Sequence, residues 1–486
     1  MKLTKIEINN YRSIESLVIE VKPVDESYTY TLLGINESGK SSILKAISLF
    51  DDDKIDYPLD FFNTKEKVTI KFSYSPNDFD ITVLCDKLIK EFNFDKELTK
   101  KIKIDKVVVK IEFENNLESL KTTYEDIEFK EQIITNYTCK DKKVTKKINR
   151  ASEENQDESL DLLAFFIEFL PTYFWSTGHS TTFWKSSSEY LISDEIDLVE
   201  FAKDPKKISI PLKNCFDLAQ ITDVKSEIQL LQNSPVSIQN LEELLSSKTT
   251  KHIKKIWPEH PVKIKFKINN LKLSFLVEDE GVSFNNKLTS QRSDGFRQLI
   301  SFLLTLSAEH RIDTLTRSIL ILDEPETHLH PTAQINLKNE LINISKNDNN
   351  NIVFYATHSN YMIDKESMER CFIIKKVNNE KTNIENILLN KTSYAEVNYT
   401  VFNILTNDYH NELYGFAEEL FTNKLNGLAR DKKWFNTIFN RTEDVSLPKY
   451  IRNSIHHPEN KKNIPFTEKQ LQKSIDILRK ILGKSS

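Results

Sequence analysis

The sequence predicts an α/β fold with a mixed sheet and a helical insertion, followed by an all-helical bundle at the C-terminus. Apolar runs of strand length alternate with helical patterns over the first 400 residues. A glycine loop stands between one such run and a helical stretch, which is typical of a βα unit. After about residue 400 the pattern is wholly helical. We therefore expect an N-terminal α/β lobe with the glycine loop, a loop and helical insertion, a second α/β lobe and a helical domain, at 1–135, 136–260, 261–400 and 401–486.

The composition is that of an ordinary globular protein. The 486 residues are 39% hydrophobic and 29% charged, which is enough chain for two or three domains. A net charge of -5 excludes a basic surface over the whole chain, so any nucleic-acid surface must be local. No apolar stretch is long enough for a membrane span, and residues 1–6 lack a signal-peptide core. Four scattered cysteines without a CxxC pair indicate idle thiols in a reducing cytoplasm and no zinc framework.

The individual elements follow from hydrophobic periodicity. Strands are expected at 2–9, 15–21, 29–34, 67–73, 105–113, 262–279, 317–322 and 351–356. Helices are expected at 40–50, 237–257, 291–310 and 331–346. The charged, Ser- and Asn-rich stretch 140–158 predicts a mobile loop. Residues 161–260 predict helical pieces without a sustained heptad, and therefore no long coiled coil.

The glycine loop carries the strongest functional signal. Residues 34–41, Gly-Ile-Asn-Glu-Ser-Gly-Lys-Ser, match GxxxxGK[ST] at every fixed position, after a strand and before a helix. Glycines let the backbone N–H groups face phosphates, and the helix N-terminus adds positive potential. Lys40 can reach the β and γ phosphates, and Ser41 offers its hydroxyl to Mg²⁺. The residues expected to bind the nucleotide are Gly34, Asn36, Glu37, Ser38, Gly39, Lys40, Ser41 and Ser42.

Two acids end the buried run 318–322. Asp323 and Glu324 stand at the carboxyl end of this strand, where ligands bind in parallel α/β sheets. We expect Asp323 to hold the Mg²⁺ and its water shell, and Glu324 to act as the general base on the attacking water. A strand that simply ends in solvated acids is the alternative interpretation.

Two further segments complete the pattern. Another buried run, 352–356, ends in Thr-His-Ser, and its His358 could contact the γ-phosphate. Ser293 and Gly295 form a Ser-x-Gly at the start of a helix, which can cradle an anion. The string is weak by itself, and its meaning comes from its order in the chain.

These strings, in this order, resemble the ABC ATPase superfamily, specifically its OLD and SMC-like branch. The segments Arg-Ser-Asp-Gly-Phe-Arg at 292–297, Asp-Glu-Pro-Glu-Thr-His-Leu-His-Pro at 323–331 and Ala-Thr-His-Ser at 356–359 are similar to bacterial ATPases of anti-phage systems, such as OLD-family and PtuA-like proteins. The resemblance covers roughly residues 1–50 and 285–365.

The resemblance implies a head-to-tail dimer. Lys40 and Ser41 of one subunit and Ser293 and Gly295 of the other would then clamp the same ATP. It also implies that Arg12, in the turn Asn-Tyr-Arg-Ser-Ile, lies near the nucleotide.

Three features depart from the family pattern. No glutamine occurs between Ser41 and Lys130, so Asp56 or Asp60 is expected to replace the usual Mg²⁺-contacting glutamine. His330 occupies the position of the family's dimer-loop aspartate, as in OLD-like proteins. No Glu…Asp-x-Asp pattern of a toprim nuclease follows residue 375.

The helical tail resembles HEPN ribonucleases. Arg452 and His457 match their Arg-x4–6-His motif with four residues between, and Asn453 after the arginine is also typical. In such a site histidine moves protons and arginine stabilises developing charge on the phosphate, between two subunits and without metal. The alternative is a purely structural bundle, because so short a motif also arises by chance. His456 is interpreted as a helix-end contact.

Together these patterns predict a cytoplasmic, oligomeric ATPase of bacterial anti-phage defence, with ATP and Mg²⁺ as ligands. It would form a homodimer or a higher homo-oligomer and respond to a phage-derived trigger. Its output would be a nuclease toxin acting on RNA or DNA, either the chain's own tail or a partner nuclease. A DNA-clamping, SMC-like repair ATPase is one alternative, and an ATP-dependent scaffold is another.

Overall fold

The computed structural model describes residues 1–51, 55–92, 94–114, 120–129, 136–140, 143–147, 159–187, 190–231, 234–256, 262–282, 285–292, 294–308, 316–327, 329–346, 350–378, 380–386 and 393–484. The chain divides into two compact units. The large unit comprises Met1–Asp364 and Glu369–Ile387, and the small unit comprises Lys365–Met368 and Leu388–Ser486. Among the described residues, no helix is both long and apolar enough to cross a membrane.

The large unit contains eighteen of the strands in the described residues. They are β1 Lys2–Tyr11, β2 Ile14–Glu20, β3 Thr29–Leu33, β4 Val68–Ser75, β5 Ile104–Phe113, β6 Leu120–Phe129, β7 Asn136–Lys140, β8 Lys143–Lys147, β9 Ser159–Asp161, β10 Ser180–Lys185, β11 Glu195–Asp197, β12 Val262–Asn269, β13 Lys272–Asp279, β14 Asn286–Leu288, β15 Ser318–Asp323, β16 Ile352–Thr357, β17 Cys371–Val377 and β18 Lys381–Asn386. The helices of this unit are α1 Lys40–Ser48, α2 Asp78–Phe92, α3 Lys96–Thr99, α4 Leu162–Thr177, α5 Leu198–Lys203, α6 Pro205–Ile208, α7 Ile210–Leu218, α8 Val224–Leu231, α9 Pro235–Ile256, α10 Asp294–Ala308 and α11 Pro331–Ile344.

A six-stranded sheet forms the centre of the large unit, in the order β10-β15-β16-β3-β17-β18. Its first five strands run parallel, and only β18 is antiparallel to its neighbour. All residues of β3 and β16 are buried. Strands covered on both faces read as continuous apolar runs, which is why the sequence pattern located them correctly.

The two faces of this sheet face two different cores. Ile319 and Ile321 of β15 pack in one core with α1 and with the antiparallel sheet β2-β1-β4-β5-β6. Leu320 and Leu322 pack in the other core with helices α7, α9 and α10 and with the β12–β13 hairpin. Successive side chains of a strand point to opposite faces, so β15 contributes side chains to both cores.

The predicted α/β class with a helical insertion is confirmed, with two differences in detail. Residues 143–147, inside the predicted loop, form β8, which pairs with β7. Residues 148–158 of that loop lie outside the described residues. The predicted insertion also contributes β10 to the central sheet, beside β15. The division into four segments stays a prediction.

The small unit is helical with one addition. Its helices are α12 Tyr394–Thr400, α13 Asn407–Leu420, α14 Thr422–Asn426, α15 Leu447–His456 and α16 Glu468–Ile481. A capping box between Thr467 and Gln470 is present at the start of α16. The expectation of an all-helical bundle needs one correction, because Lys432–Asn436 (β19) and Arg441–Val445 (β20) form a hairpin whose Trp434 packs into the helical core.

Candidate active site

Four parallel strands of the central sheet bring residues to one edge. The glycine loop follows β3, Asp323 and Glu324 end β15, His358 follows β16, and Lys185 ends β10. Neighbouring parallel strands have their carboxyl ends at the same edge, so these segments meet although they are far apart in sequence. The glycine loop, Glu324 and His358 line a cavity of about 730 Å³ at this edge. Its lining consists of Ser13, Asn36, Glu37, Ser38, Gly39, Lys40, Ser41, Ser42, Glu324, His358 and Lys376.

The conformation of the loop requires its glycines. Gly39 has a φ of 107°, and a Cβ there would overlap the side chain of Thr382. A Cβ on Gly34 would overlap the carbonyl oxygen of Ile374. The Lys40 ammonium donates to the carbonyls of Gly34 at 2.9 Å and Ile35 at 3.0 Å. Burial lowers the pKa of Lys40, opposed by the nearby acids.

The β17–β18 hairpin holds the loop from behind, through residues that the sequence motifs did not reveal. The Thr382 hydroxyl donates to the Ser38 carbonyl at 3.2 Å and lies 2.7 Å from the Ser13 hydroxyl. The Thr382 amide donates to the Ser13 carbonyl at 2.8 Å. Threonine on a hairpin carries no motif signal, so only the fold identifies this support.

Ser41 and Asp323 form the candidate magnesium site. They hydrogen-bond to each other; burial raises the pKa of Asp323, and the Ser41 hydroxyl and the charge of Lys40 oppose that rise. A hydroxyl and a carboxylate are the hard oxygen ligands that Mg²⁺ prefers when phosphates supply the others. No group of three or more His, Cys, Asp and Glu residues in the described part of the chain forms a metal site. The pair thus fits a metal held jointly with a nucleotide.

Glu324 and His358 face each other across the cavity. His358 Nε2 lies 3.1 Å from Glu324 Oε1, and this hydrogen bond lowers the pKa of Glu324. The Glu324 backbone has a φ of 52°, and its amide donates to the Ala356 carbonyl at 3.1 Å. Non-glycine residues in this conformation are uncommon and cluster at functional sites. An ionised carboxylate at this place can accept a proton from water.

A second glutamate lies beneath this pair. Glu326 is 5% exposed and accepts hydrogen bonds from the Thr357 hydroxyl and from the His358 amide at 3.3 Å. Burial raises the pKa of Glu326 to about 7. Ser359 continues the contacts, because its amide donates to Thr357 and its hydroxyl to Gln334. The loop after β15 is therefore bonded to the loop after β16.

Arg12 lies in a neighbouring cavity of about 760 Å³ that shares Ser13 with the first. Its Nε lies 2.6 Å from Asp60 Oδ1, and Asp60 also accepts from the Asp56 amide at 2.9 Å. Asp56 and Asp60, expected to replace the Mg²⁺-contacting glutamine, line the Arg12 cavity and not the cavity of the glycine loop; their role at the metal site stays a prediction. The residue that the structure brings beside Asp323 is Lys185, which pairs with it in the register of β10 and β15.

The Ser-x-Gly segment predicted to cradle an anion falls at the start of α10, where Gly295 is the second residue. Ser293 lies outside the described residues. His330 is exposed and caps α11, where its Nδ1 accepts from the Thr332 amide at 3.5 Å.

In the small unit, Arg452 and His457 contact different neighbours. Arg452 hydrogen-bonds Asn453 at 3.2 Å and lies 5.9 Å from the centre of the Tyr414 ring. His457 caps α15 and lies 3.3 Å from Glu459, and it lines a cavity of about 260 Å³ beside Trp434. Within the described residues of one chain, no contact joins the arginine to the histidine. The HEPN-like site stays a prediction.

A P-loop ATPase is the class of protein that this fold and site define. The chain belongs to the AAA ATPase domain family, whose model matches residues 1–363.

Other similarities are more distant. An uncharacterized protein of Methanocaldococcus jannaschii, MJECL43, is 25% identical over 141 residues, which is 28% of this chain and 36% of that protein. The chain therefore spans about a third of that relative's length. Among solved structures, an SMC head bound to the C-winged helix domain of ScpA matches with a TM-score of 0.39 and 13% identity, over 80% of this chain and 98% of that one. The SMC head domain of Thermotoga maritima matches with a TM-score of 0.37 and 12% identity, over 80% of this chain and all of that one, 100%.

Proposed function

We propose that the chain hydrolyses Mg·ATP between two copies of itself and uses this cycle to control a nuclease in the cytoplasm during bacterial anti-phage defence. The observation that carries the ATPase part is the convergence of Lys40, the Ser41–Asp323 pair and the Glu324–His358 pair on one cavity. Bound Mg²⁺ would neutralise phosphate charge. Every other chemical role falls to side chains of the chain.

The roles follow from positions. Loop amides and Lys40 bind the β and γ phosphates, and Ser41 and Asp323 hold the metal. Glu324 takes a proton from the attacking water, and His358 holds this carboxylate and contacts the γ-phosphate. The 3.1 Å contact between Glu324 and His358 would change when the terminal phosphate is present. ATP and ADP would therefore favour different arrangements of the loops after β15 and β16.

Association of two copies is supported by the segment at the start of α10. Gly295 lies at the N-terminus of this helix. A helix N-terminus binds anions well, so the same segment of a second copy would complete the cradle around the γ-phosphate. Arg12, in the cavity that shares Ser13, would lie at the nucleoside end.

The nuclease part is supported by the small unit. His457 has 46% of its side chain exposed and lines a cavity, so a second copy or an RNA strand could reach it. The proposal is therefore an ATPase whose dimerisation brings two tails together. A partner nuclease is the alternative output, and in that case the tail is structural.

The test uses the full chain with ATP and Mg²⁺, incubated with total tRNA and with plasmid DNA. Lys40→Ala should abolish ATP turnover, and Glu324→Gln should trap an ATP-bound dimer, visible by light scattering. His457→Ala should stop RNA cutting while ATP turnover survives, and His456→Ala is the matched control on the adjacent exposed histidine. ATP turnover without cutting of either nucleic acid would assign the nuclease to a separate protein. Failure of the wild-type chain to turn over ATP would overturn the ATPase mechanism itself.

A further inference from the structure

The outermost strand of the central sheet, β10, ends in a lysine that none of the nucleotide motifs includes. Lys185 is the last residue of this strand, and its register partner on β15 is Asp323. Neighbouring parallel strands place register partners side by side, with side chains on the same face. Lys185 thus stands next to the carboxylate that pairs with Ser41.

Successive contacts between β10 and the segment of α1 show which part of this helix lies beside Lys185. At one end, the Thr181 amide donates to Asp51 at 2.5 Å and its hydroxyl contacts the Ser48 carbonyl at 3.5 Å. Two residues further along the strand, the Phe183 ring lies 5.7 Å from the Lys45 ammonium.

The same spacing indicates which residue of β10 lies beside the start of the helix. Two strand residues advance about 6.6 Å and one helical turn about 5.4 Å, so each second residue of β10 meets the next turn of α1. The next pair is Lys185 against the first turn, which begins at Lys40 and includes Ser41. This spacing places Lys185 beside the phosphate end of the site, on the β10 side, although it does not line the cavity itself.

Charge at this position agrees with the geometry. Lys185 and Lys40 are both cations close to the Asp323 carboxylate. Lys185 is half-buried, whereas Lys40 is buried. When Asp323 coordinates a metal ion, the Lys185 ammonium can form an ion pair with the terminal phosphate instead.

We propose that Lys185 is a second catalytic cation, which contacts the γ-phosphate of Mg·ATP from the β10 side of the site and stabilises the charge that develops there. The inference rests on the proposed ATPase function and adds to it a residue from outside the motifs. A preorganised cation beside the transferring phosphoryl group lowers the barrier more than it strengthens ground-state binding.

The experiment compares Lys185→Met and Lys185→Arg with Lys45→Met, which removes the same charge from the same layer one step further from the loop. For Lys185→Met we expect kcat to fall about 10²-fold, as for loss of one preorganised donor. We expect ATP to bind about tenfold more weakly while ADP binding is unchanged, because only ATP carries the contacted phosphate. Lys185→Arg should recover part of kcat, and Lys45→Met should stay close to wild type.

The readouts are phosphate release and titration with fluorescent ATP and ADP analogues. A kcat of Lys185→Met within about threefold of wild type would overturn the proposal. So would equal weakening of ATP and ADP with a lowered melting temperature, which indicates a structural lysine. The wild-type chain is measured alongside, so its ATP turnover separates failure of this inference from failure of the ATPase assignment.

Discussion

Glu324 Oε1 lies 3.1 Å from His358 Nε2, although the two residues follow different strands of the sheet. Parallel pairing of β15 with β16 brings them together. A backbone hydrogen bond at the ends of these strands, from the Glu324 amide to the Ala356 carbonyl, fixes the position of the glutamate relative to β16. A carboxylate bonded to a histidine in this way is both oriented and kept ionised. The proposed general base and the residue proposed to contact the γ-phosphate thus lie in direct contact.

The first prediction concerns this carboxylate. Glu324→Gln keeps the size of the side chain and removes its basicity, so ATP should still bind while turnover falls about 10²- to 10⁴-fold. Single-turnover phosphate release measures the loss. Glu385→Gln, at an exposed acid of β18 paired with Lys375, is the control and should leave turnover unchanged. Turnover of Glu324→Gln within threefold of wild type would contradict the assigned base.

The second prediction concerns the hairpin behind the glycine loop. Thr382→Val removes the hydroxyl that bonds Ser38 and Ser13, and leaves buried polar groups without a partner at a cost of about 1–3 kcal/mol. We expect weaker ATP binding together with a lower free energy of unfolding in urea. Thr382→Ser retains the hydroxyl and should behave nearly as wild type. Equal behaviour of the valine and serine variants would show that the hydroxyl does not support the loop.

The third prediction concerns pH and Glu326. Its folded-state pKa of about 7 lies above the ordinary 4.5, so the stability that its protonation contributes is full below pH 4.5 and is lost as pH rises through 7. Between these limits the wild type should lose about 3 kcal/mol from this one group. Glu326→Gln cannot ionise and should lack this part of the slope.

Urea unfolding of both proteins from pH 5 to pH 8 measures the difference. Burying the amide adds an offset that is independent of pH, so the difference in slope is the informative quantity. Parallel pH profiles for the two proteins would show that Glu326 is ionised in the folded chain.

The fourth prediction concerns the Arg12–Asp60 pair. Asp60 has 6% of its side chain exposed and Arg12 has 37%, so removing the arginine leaves a buried carboxylate without its charged partner. We expect Arg12→Ala to cost about 1–3 kcal/mol in the free energy of unfolding, and Arg12→Ala with Asp60→Asn to recover part of it. Thermal and urea unfolding of the single and double variants measure this coupling. Additive losses would mean that the pair does not interact.

The sequence alone identified three of the strands that build the site, β3, β15 and β16, but not β10. Fully buried strands such as β15 and β16 are continuous apolar runs, and the polar residues that follow them stand out against this background. The glycine loop was recognisable because its backbone requires glycine at fixed positions. The β19–β20 hairpin was missed because its short strands carry charged residues and lie within a helical region.

What the sequence by itself determined, then, is the α/β class and the order of the motifs that contain Lys40, Asp323 and Glu324, because each is encoded locally. Only the tertiary structure decided which distant segments share the site. Strand order placed β10 beside β15 and so Lys185 beside Asp323, and it moved Asp56 and Asp60 to the Arg12 cavity. Pairing between strands far apart in sequence depends on side-chain packing over the whole sheet, and no local pattern records it.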